Sequence, residues 1–317
     1  MIPRLALLGA VKHYKRSLVV LAAVALSCAV MLFAGSLLGG VTESFYDSVT
    51  TMSGHVRIDD ERAATALSPL GLTALVADAD AVAREAAIAG GPRVLAAEPV
   101  LSFGALLLES GIDDSEPRNL AMRGIGVTAG TRFADNVRSG IVSGEFLPGG
   151  RGVALSESAA RLAGTALGEG IVVLVQDSSG QPWYEELPVT GVFRTESRDF
   201  DETTFYMGIN KAREMLDVGS SAREVRLLLA RRDDARRAAR EVGSALNGEG
   251  ARSRGSLRVM DWMEINASVL SMLAFIKVLM GTLVGLFVVV SGTIIANTVL
   301  MSVLERIREF GAMRAIG

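Results

Sequence analysis

Two long apolar runs bracket this chain, and they constrain what it can fold into more than anything between them. The first, Ser17–Leu38, has no charged residue over about 22 positions. As a helix that is roughly 33 Å, enough to cross a hydrocarbon core of about 30 Å. Lys12, His13, Tyr14, Lys15 and Arg16 lie just before it, and such a basic flank predicts a cytoplasmic N-terminus. The second run extends from near Val269 to Val303, about 35 residues or roughly 52 Å as a helix. Lys277 interrupts it. A charge deep in lipid is costly, so Lys277 marks the outer interface, the crossing falls at about 278–300, and the residues before it form a stalk. Arg306, Arg308 and Arg314 follow and again read as cytoplasmic. A cleaved signal peptide, or a lipidation site at Cys28, competes for the first run. Signal cores are shorter than this run, which continues well past Cys28.

The resulting expectation is a membrane protein with two transmembrane helices flanking an α+β extracytoplasmic domain. Its segments are a cytoplasmic stretch 1–16, a first membrane helix 17–41, an outer domain 42–268, a stalk and second membrane helix 269–303, and a cytoplasmic helix 304–317. The single cysteine rules out an intramolecular disulfide, so the outer domain folds on its core alone, which a domain of this size can do. A net charge of −3 argues against a nucleic-acid partner.

Within the outer stretch, strand and helix signals alternate. His55–Ile58 alternates polar and apolar residues as a half-buried strand does. Ala77–Ala89 reads as a helix stopped by Gly90, Gly91 and Pro92. Arg93–Val100 and Leu101–Glu109 read as two strands, followed by a turn at Gly111–Pro117 and a strand at Asn119–Ile125. Ser156 is a natural N-cap for a helix to Leu167. Ile171–Gln176 and Leu187–Arg194 are strands, the first ending in a hairpin turn at Asp177–Gly180. Asn210 is placed to cap Lys211–Leu216. Glu224–Ala230, Asp233–Leu246 and Leu257–Met260 read as strand, helix, strand, with Ala235, Ala238, Val242 and Leu246 on one helix face. The arginines between Arg231 and Arg240 cover the opposite, solvated face. A lobe inserted at about 132–199 accounts for the middle of the domain.

Familiar catalytic signatures are absent: the sequence has no phosphate-binding loop, no H-E-x-x-H, no CxxC and no G-x-S-x-G. The only histidines are His13 and His55, neither with partners at ligand spacing. The acidic clusters Glu185–Glu186 and Asp199, Asp201 and Glu202 read as solvated loops. No catalytic or metal-binding residue is expected.

The C-terminal stretch Asn297–Gly317 is the most specific. An apolar helix leaves the membrane near Ser302 and turns amphipathic, with Val303, Ile307 and Phe310 on one face. Gly311 loosens it. ANTVLMSVLERIREFGAMRAIG resembles the second membrane helix and following loop of the FtsX-like ABC-transporter permeases, the family of lipoprotein-releasing and macrolide-exporter membrane subunits. SGHVRI at 53–58, GVALSESAARLAG at 152–164 and VTGVFRT at 189–195 resemble it more weakly. The family carries four membrane helices. The sequence holds two, so the resemblance implies a fragment, a truncated chain or a split gene, with helices 3 and 4 absent.

What the resemblance implies is mechanical. Glu305, Arg306, Arg308, Glu309, Phe310, Met313 and Arg314 would form a coupling helix docked on a separate ABC ATPase subunit, which binds the ATP and Mg; the chain itself needs no cofactor. The permease would act with a second copy or paralogue in the bacterial inner membrane. Gly281 and Gly285 form a G-x-x-x-G pair, repeated at Gly292 and Ala296, and Asn297 is polar near the inner boundary; these are the residues for packing between membrane helices. Lipoprotein release, or export of another lipid-linked or hydrophobic cargo, is the leading expectation. Tripartite efflux of a small hydrophobic compound, a scaffold for a cell-wall hydrolase, and a membrane sensor are the alternatives.

Overall fold

The computed structural model describes residues 14–65, 70–109, 119–248 and 256–316. The predicted turn at 111–117 and His13 lie outside them. The chain forms two compact units, one of them Asp47–Asn266, the other holding the helical segments on either side of it.

In the helical unit, α1 (Tyr14–Ser53, 40 residues) and the last helix, Ala267–Ile316 with 50 residues, are both uninterrupted. Helix α1 runs well past the expected end at residue 41, because nothing from Val41 to Ser53 breaks a helix until Gly54, whose φ of 75° does. Among the described residues one helix, over Ala267–Met301, is long and apolar enough to cross a membrane; the apolar part of α1, Val24–Leu37, is shorter. Val24, Ser27, Val30 and Ala34 are half-buried on α1. So are Met280, Val284, Phe287, Ser291, Ile294 and Thr298 on the last helix, at the spacings of three and four that make one helix face. The hydroxyls of Ser27 and Ser291 hydrogen-bond to each other.

The outer unit runs β1 (Val56–Asp60), α2 (Ala79–Gly90), β2 (Val94–Glu109), β3 (Asn119–Val127), α3 (Asp135–Ser139), β4 (Ile141–Gly144), β5 (Val153–Ser156), α4 (Glu157–Ala163), β6 (Gly170–Gln176), β7 (Pro182–Phe193), α5 (Arg198–Thr203), β8 (Thr204–Gly208), α6 (Ile209–Leu216), β9 (Glu224–Leu229), α7 (Ala235–Leu246), β10 (Leu257–Asp261) and α8 (Trp262–Ile265). The last helix is therefore α9.

Four strands form an open sheet in the order β10-β1-β9-β2. All three pairings are antiparallel. Helices α2 and α7 pack against it and against each other. The α7 residues that face inward are buried Ala235, Ala238, Val242 and Leu246, the four that periodicity selects. The free edge of β10 is guarded by a side chain. The Asn247 amide donates to the Leu257 carbonyl at 2.8 Å and accepts from the Leu257 N–H at 3.3 Å, as a neighbouring strand would.

The rest of the sheet closes on itself. Strand β2 pairs β3 and β6, β3 pairs β8, β8 pairs β5, β5 pairs β7, and β7 pairs β6. That ring of six strands has its interior filled by side chains. Phe103, Leu107, Leu155, Ile171, Phe205 and Met207 are fully buried, and the Phe103 and Phe205 rings meet edge to face at 6.1 Å. A side chain at Gly124 would strike both rings. A second apolar cluster, including Ile125, Val137, Leu147, Phe193 and Tyr206, packs outside this ring. Burial there pushes the Tyr206 phenol up to about 12.

Three sequence expectations change in detail. The two strands read at 93–100 and 101–109 are one 16-residue strand, β2, shared between open sheet and barrel. Asn210 does not cap α6. The helix begins two residues earlier, straight out of β8, with Gly208 as its N-cap. Ser156 does cap α4, its hydroxyl accepting from the Ala159 N–H, but the helix stops at Gly164, whose backbone is left-handed. The 132–199 stretch lies among the barrel strands, which also take in β3 and β8.

Candidate functional site

The two long helices join the outer unit at neighbouring strands. Helix α1 ends at Ser53 and β1 begins at Val56; β10 ends at Asp261 and leads through α8 into α9 at Ala267. Val56 and Asp261 are direct antiparallel partners. The first residue of one strand and the last of the other, over 200 residues apart in sequence, therefore share a backbone pair.

Local chemistry fixes this junction. Gly54 adopts a φ of 75° that favours glycine. A Cβ there would lie 3.0 Å from the Leu227 carbonyl oxygen and 3.1 Å from the Phe133 ring. His55 follows and is buried. Its N–H donates to the Leu227 carbonyl at 2.8 Å and its carbonyl accepts from the Trp262 N–H at 3.0 Å. Its Nδ1 accepts from the Leu229 N–H at 3.1 Å. One residue thus ties β1, β9 and α8 together. An imidazole nitrogen that accepts must be unprotonated, and burial, then the nearby Arg232 charge, hold His55 below the usual histidine range. At the end of β10, the Asp261 carboxylate caps α8 by accepting from the Glu264 N–H at 2.9 Å, and the Asn266 amide donates to the Trp262 carbonyl at 2.8 Å.

A charge ladder crosses the adjoining strands. Arg258 on β10 grips Asp59 on β1 through two bonds of 3.0 and 2.9 Å. Arg226 on β9 donates to Glu224 at 2.6 Å. Arg57 stands between them, its Nε 3.7 Å from Asp59 and 3.5 Å from Glu224, too far for a good hydrogen bond. Burial pushes Glu224 up, but Arg226 and Arg57 outweigh it and hold the carboxyl below its usual range. The ladder is ionic, half-buried and not fully hydrogen-bonded, so it holds the strands in register while leaving one cation able to choose between two anions.

The residues selected from sequence lie elsewhere, all on α9. A Cβ on Gly281, Gly285 or Gly292 would meet nothing within 4 Å, and Asn297 is exposed. The helix runs unbroken through Gly311 to Ile316. Arg314 is exposed; the side chains of Glu305, Arg306, Arg308, Glu309, Phe310 and Met313 lie outside the described part. Among the described residues no cluster of three or more His, Cys, Asp or Glu could hold a metal. Sequence reasoning missed the junction, although Ser53-Gly54-His55 carries its signal: a glycine between a long helix and an alternating strand.

Residues 17–245 match the sequence model of the MacB-like periplasmic core domain. The ABC transporter permease YknZ of Bacillus subtilis strain 168 is 27% identical over 194 residues, 60% of this chain and 45% of that protein. The chain thus spans under half the length of this relative. Among solved structures, the periplasmic region of MacB from Actinobacillus actinomycetemcomitans aligns with a TM-score of 0.45 at 13% identity, covering 70% of this chain and 95% of that one. The extracellular domain of the noncanonic ABC-type transporter YknZ from Gram-positive bacteria aligns at 0.42 and 15%, covering 65% and 100%.

Proposed function

Since the chain belongs to the MacB-like periplasmic core domain family of FtsX/MacB-type ABC permeases, we propose that it is a force-transmitting transport subunit and not an enzyme. In this reading α1 and α9 cross the bacterial inner membrane, with the N-terminus and the end of α9 in the cytoplasm and the outer unit on the far side. The last turns of α9, from Glu305 to Arg314, dock on a separate ATPase that holds ATP and Mg. A second permease copy or paralogue completes the unit, packed through the open face at Gly281, Gly285 and Gly292, with Asn297 reaching a neighbouring helix. Movement of the helices reaches the outer unit and acts on a lipid-linked cargo, with lipoprotein release as the leading case.

The observation that carries the reading is the pairing of Val56 with Asp261. A relative shift of two helices that end on adjacent, hydrogen-bonded strands cannot be absorbed in a floppy linker. It must shear the β1–β10 pair or move the whole sheet. The test is purification of the full-length protein from membranes, alone and with Glu309→Lys plus Arg314→Glu. An ATPase should accompany the wild type and fall by about tenfold or more with the variant, the loss expected of two reversed interface charges. Equal recovery would remove the docking role from this helix. Failure of any ATPase to co-purify would defeat the transport reading itself.

A further inference from the structure

The arginine-rich segment 231–240 is the strongest charge feature that force transmission leaves unused. Its members are not equivalent. Arg237 pairs with Glu241 at 2.8 Å, and Arg231 stands 3.8 Å from Asp233. Arg236 and Arg240 are exposed, and among the described residues neither makes an ion pair; Arg240 only leans on the Arg236 carbonyl at 3.4 Å. One helical turn apart, they project from the same face of α7.

That face borders a cleft of about 370 Å³ between α7, β10 and α8. Ala239, Gly243 and Val259 give it a small, apolar floor, and Asp261 and Glu264 line it together with the two arginines. Among the described residues no salt bridge crosses it, so its cations and anions share one cleft without approaching within 4 Å. A simple anion entering there meets two carboxylates, and a simple cation meets two guanidiniums. A ligand with both charges satisfies each set and is repelled by neither.

We propose that this cleft binds a phosphoethanolamine-type headgroup, a phosphate joined to a primary ammonium. Arg236 and Arg240 take the phosphate oxygens, for which guanidinium geometry is suited. Glu264 takes the ammonium, with Asp261, one carboxylate oxygen of which is already committed to the α8 N-terminus, adding charge behind it. The headgroup can come from a membrane lipid or from a free phosphomonoester. Glu264 precedes the start of α9 at Ala267 by three residues, and the stalk up to Lys277 lies between that point and the expected crossing, so the experiment decides between the two sources. The site makes no use of an ATPase and stands apart from the transport reading.

The test is a ³¹P NMR titration of the full-length protein in a phosphate-free detergent. The probes are O-phosphoethanolamine, inorganic phosphate, and dihexanoyl phosphatidylethanolamine, with ethanolamine as competitor. Phosphoethanolamine should bind saturably. It should weaken by about tenfold or more with Arg236→Gln plus Arg240→Gln, and similarly with Glu264→Gln, each change removing at least one charge-assisted contact. Inorganic phosphate should bind at least about tenfold more weakly than phosphoethanolamine on wild type. Tighter binding of the short-chain lipid than of phosphoethanolamine identifies the lipid as the source, and equal binding identifies the free headgroup. The substituted residues are exposed, so thermal unfolding should not change, and it serves as the folding control. Lack of saturable binding, undiminished binding by the double arginine variant, or inorganic phosphate binding as well as phosphoethanolamine would each overturn the proposal.

Discussion

The open sheet and the closed barrel share one strand, β2, and are held together in opposite ways. The barrel is built from one continuous stretch of chain, from the second half of β2 to β8, and its ring of pairings leaves it an interior of Phe103, Leu107, Phe205 and Met207. The open sheet collects β1, β9, β10 and the first half of β2 from distant parts of the sequence. It relies on side chains at its weak points: His55 where the chain enters, Asn247 along the edge, and Arg258, Asp59, Arg57 and Glu224 across one face. The barrel reaches the helix attachment through the loop between β3 and α3, whose Phe133 ring lies beside Gly54. The sheet cannot lose a junction residue without loosening that attachment.

The sharpest way to break this contrast is Phe205→Ala. Emptying the barrel centre should cost about 3–5 kcal/mol in denaturant unfolding. Hydrogen exchange should place the lost protection in β2, β3 and β8, with β1 and β10 little changed. Uniform loss across both regions would mean that they are one cooperative unit. Next in size is Gly54→Ala, expected to cost about 1–3 kcal/mol, since it adds a Cβ to a left-handed residue already against Leu227 and Phe133. Gly130→Ala, with a φ of 79° but nothing within 4 Å, should cost only the strain, about 1 kcal/mol. Equal penalties would show that the Gly54 contacts do not matter.

Asn247→Ala should cost about 1 kcal/mol and uncover the β10 edge, which concentration-dependent light scattering would register as self-association. The smallest effect is the pH response of His55. Burial, then the Arg232 charge, hold its folded pKa below the ordinary 6.5, so the unfolded chain binds the proton more readily. Stability from this group is complete above pH 6.5 and declines as the pH falls toward the folded value. The His55→Gln variant should lack that decline in denaturant titrations run between neutral pH and about pH 5.

Much of the secondary structure was legible because β-branched runs and Gly- or Asp-rich turns mark it locally. The α7 core face and the Ser156 cap came directly from periodicity and capping chemistry. Barrel closure did not, since it depends on β2 being one strand that changes partners near Leu101. Nothing in Val100-Leu101 announces that its neighbours switch from β9 to β3. The junction was hidden for a similar reason. His55 looked like an ordinary strand residue because its hydrogen-bond partners, Leu227, Leu229 and Trp262, are far away in sequence. Charge clusters were the hardest to read: the arginines of α7 resemble any solvated face until Asp261 and Glu264 appear across the cleft.

The central claim is that helix movement enters the outer unit through the paired strands β1 and β10. Its most direct test uses the full-length protein with the proposed partner ATPase, with and without a flexible Gly-Ser insert between Asn266 and Ala267. Hydrogen exchange is followed in Val56–Asp60 and Leu257–Ile265 with and without ATP. The account predicts that nucleotide alters exchange in these strands in the uninterrupted protein, and that the insert abolishes the change while ATP hydrolysis continues. A nucleotide-dependent change that survives the insert would contradict it.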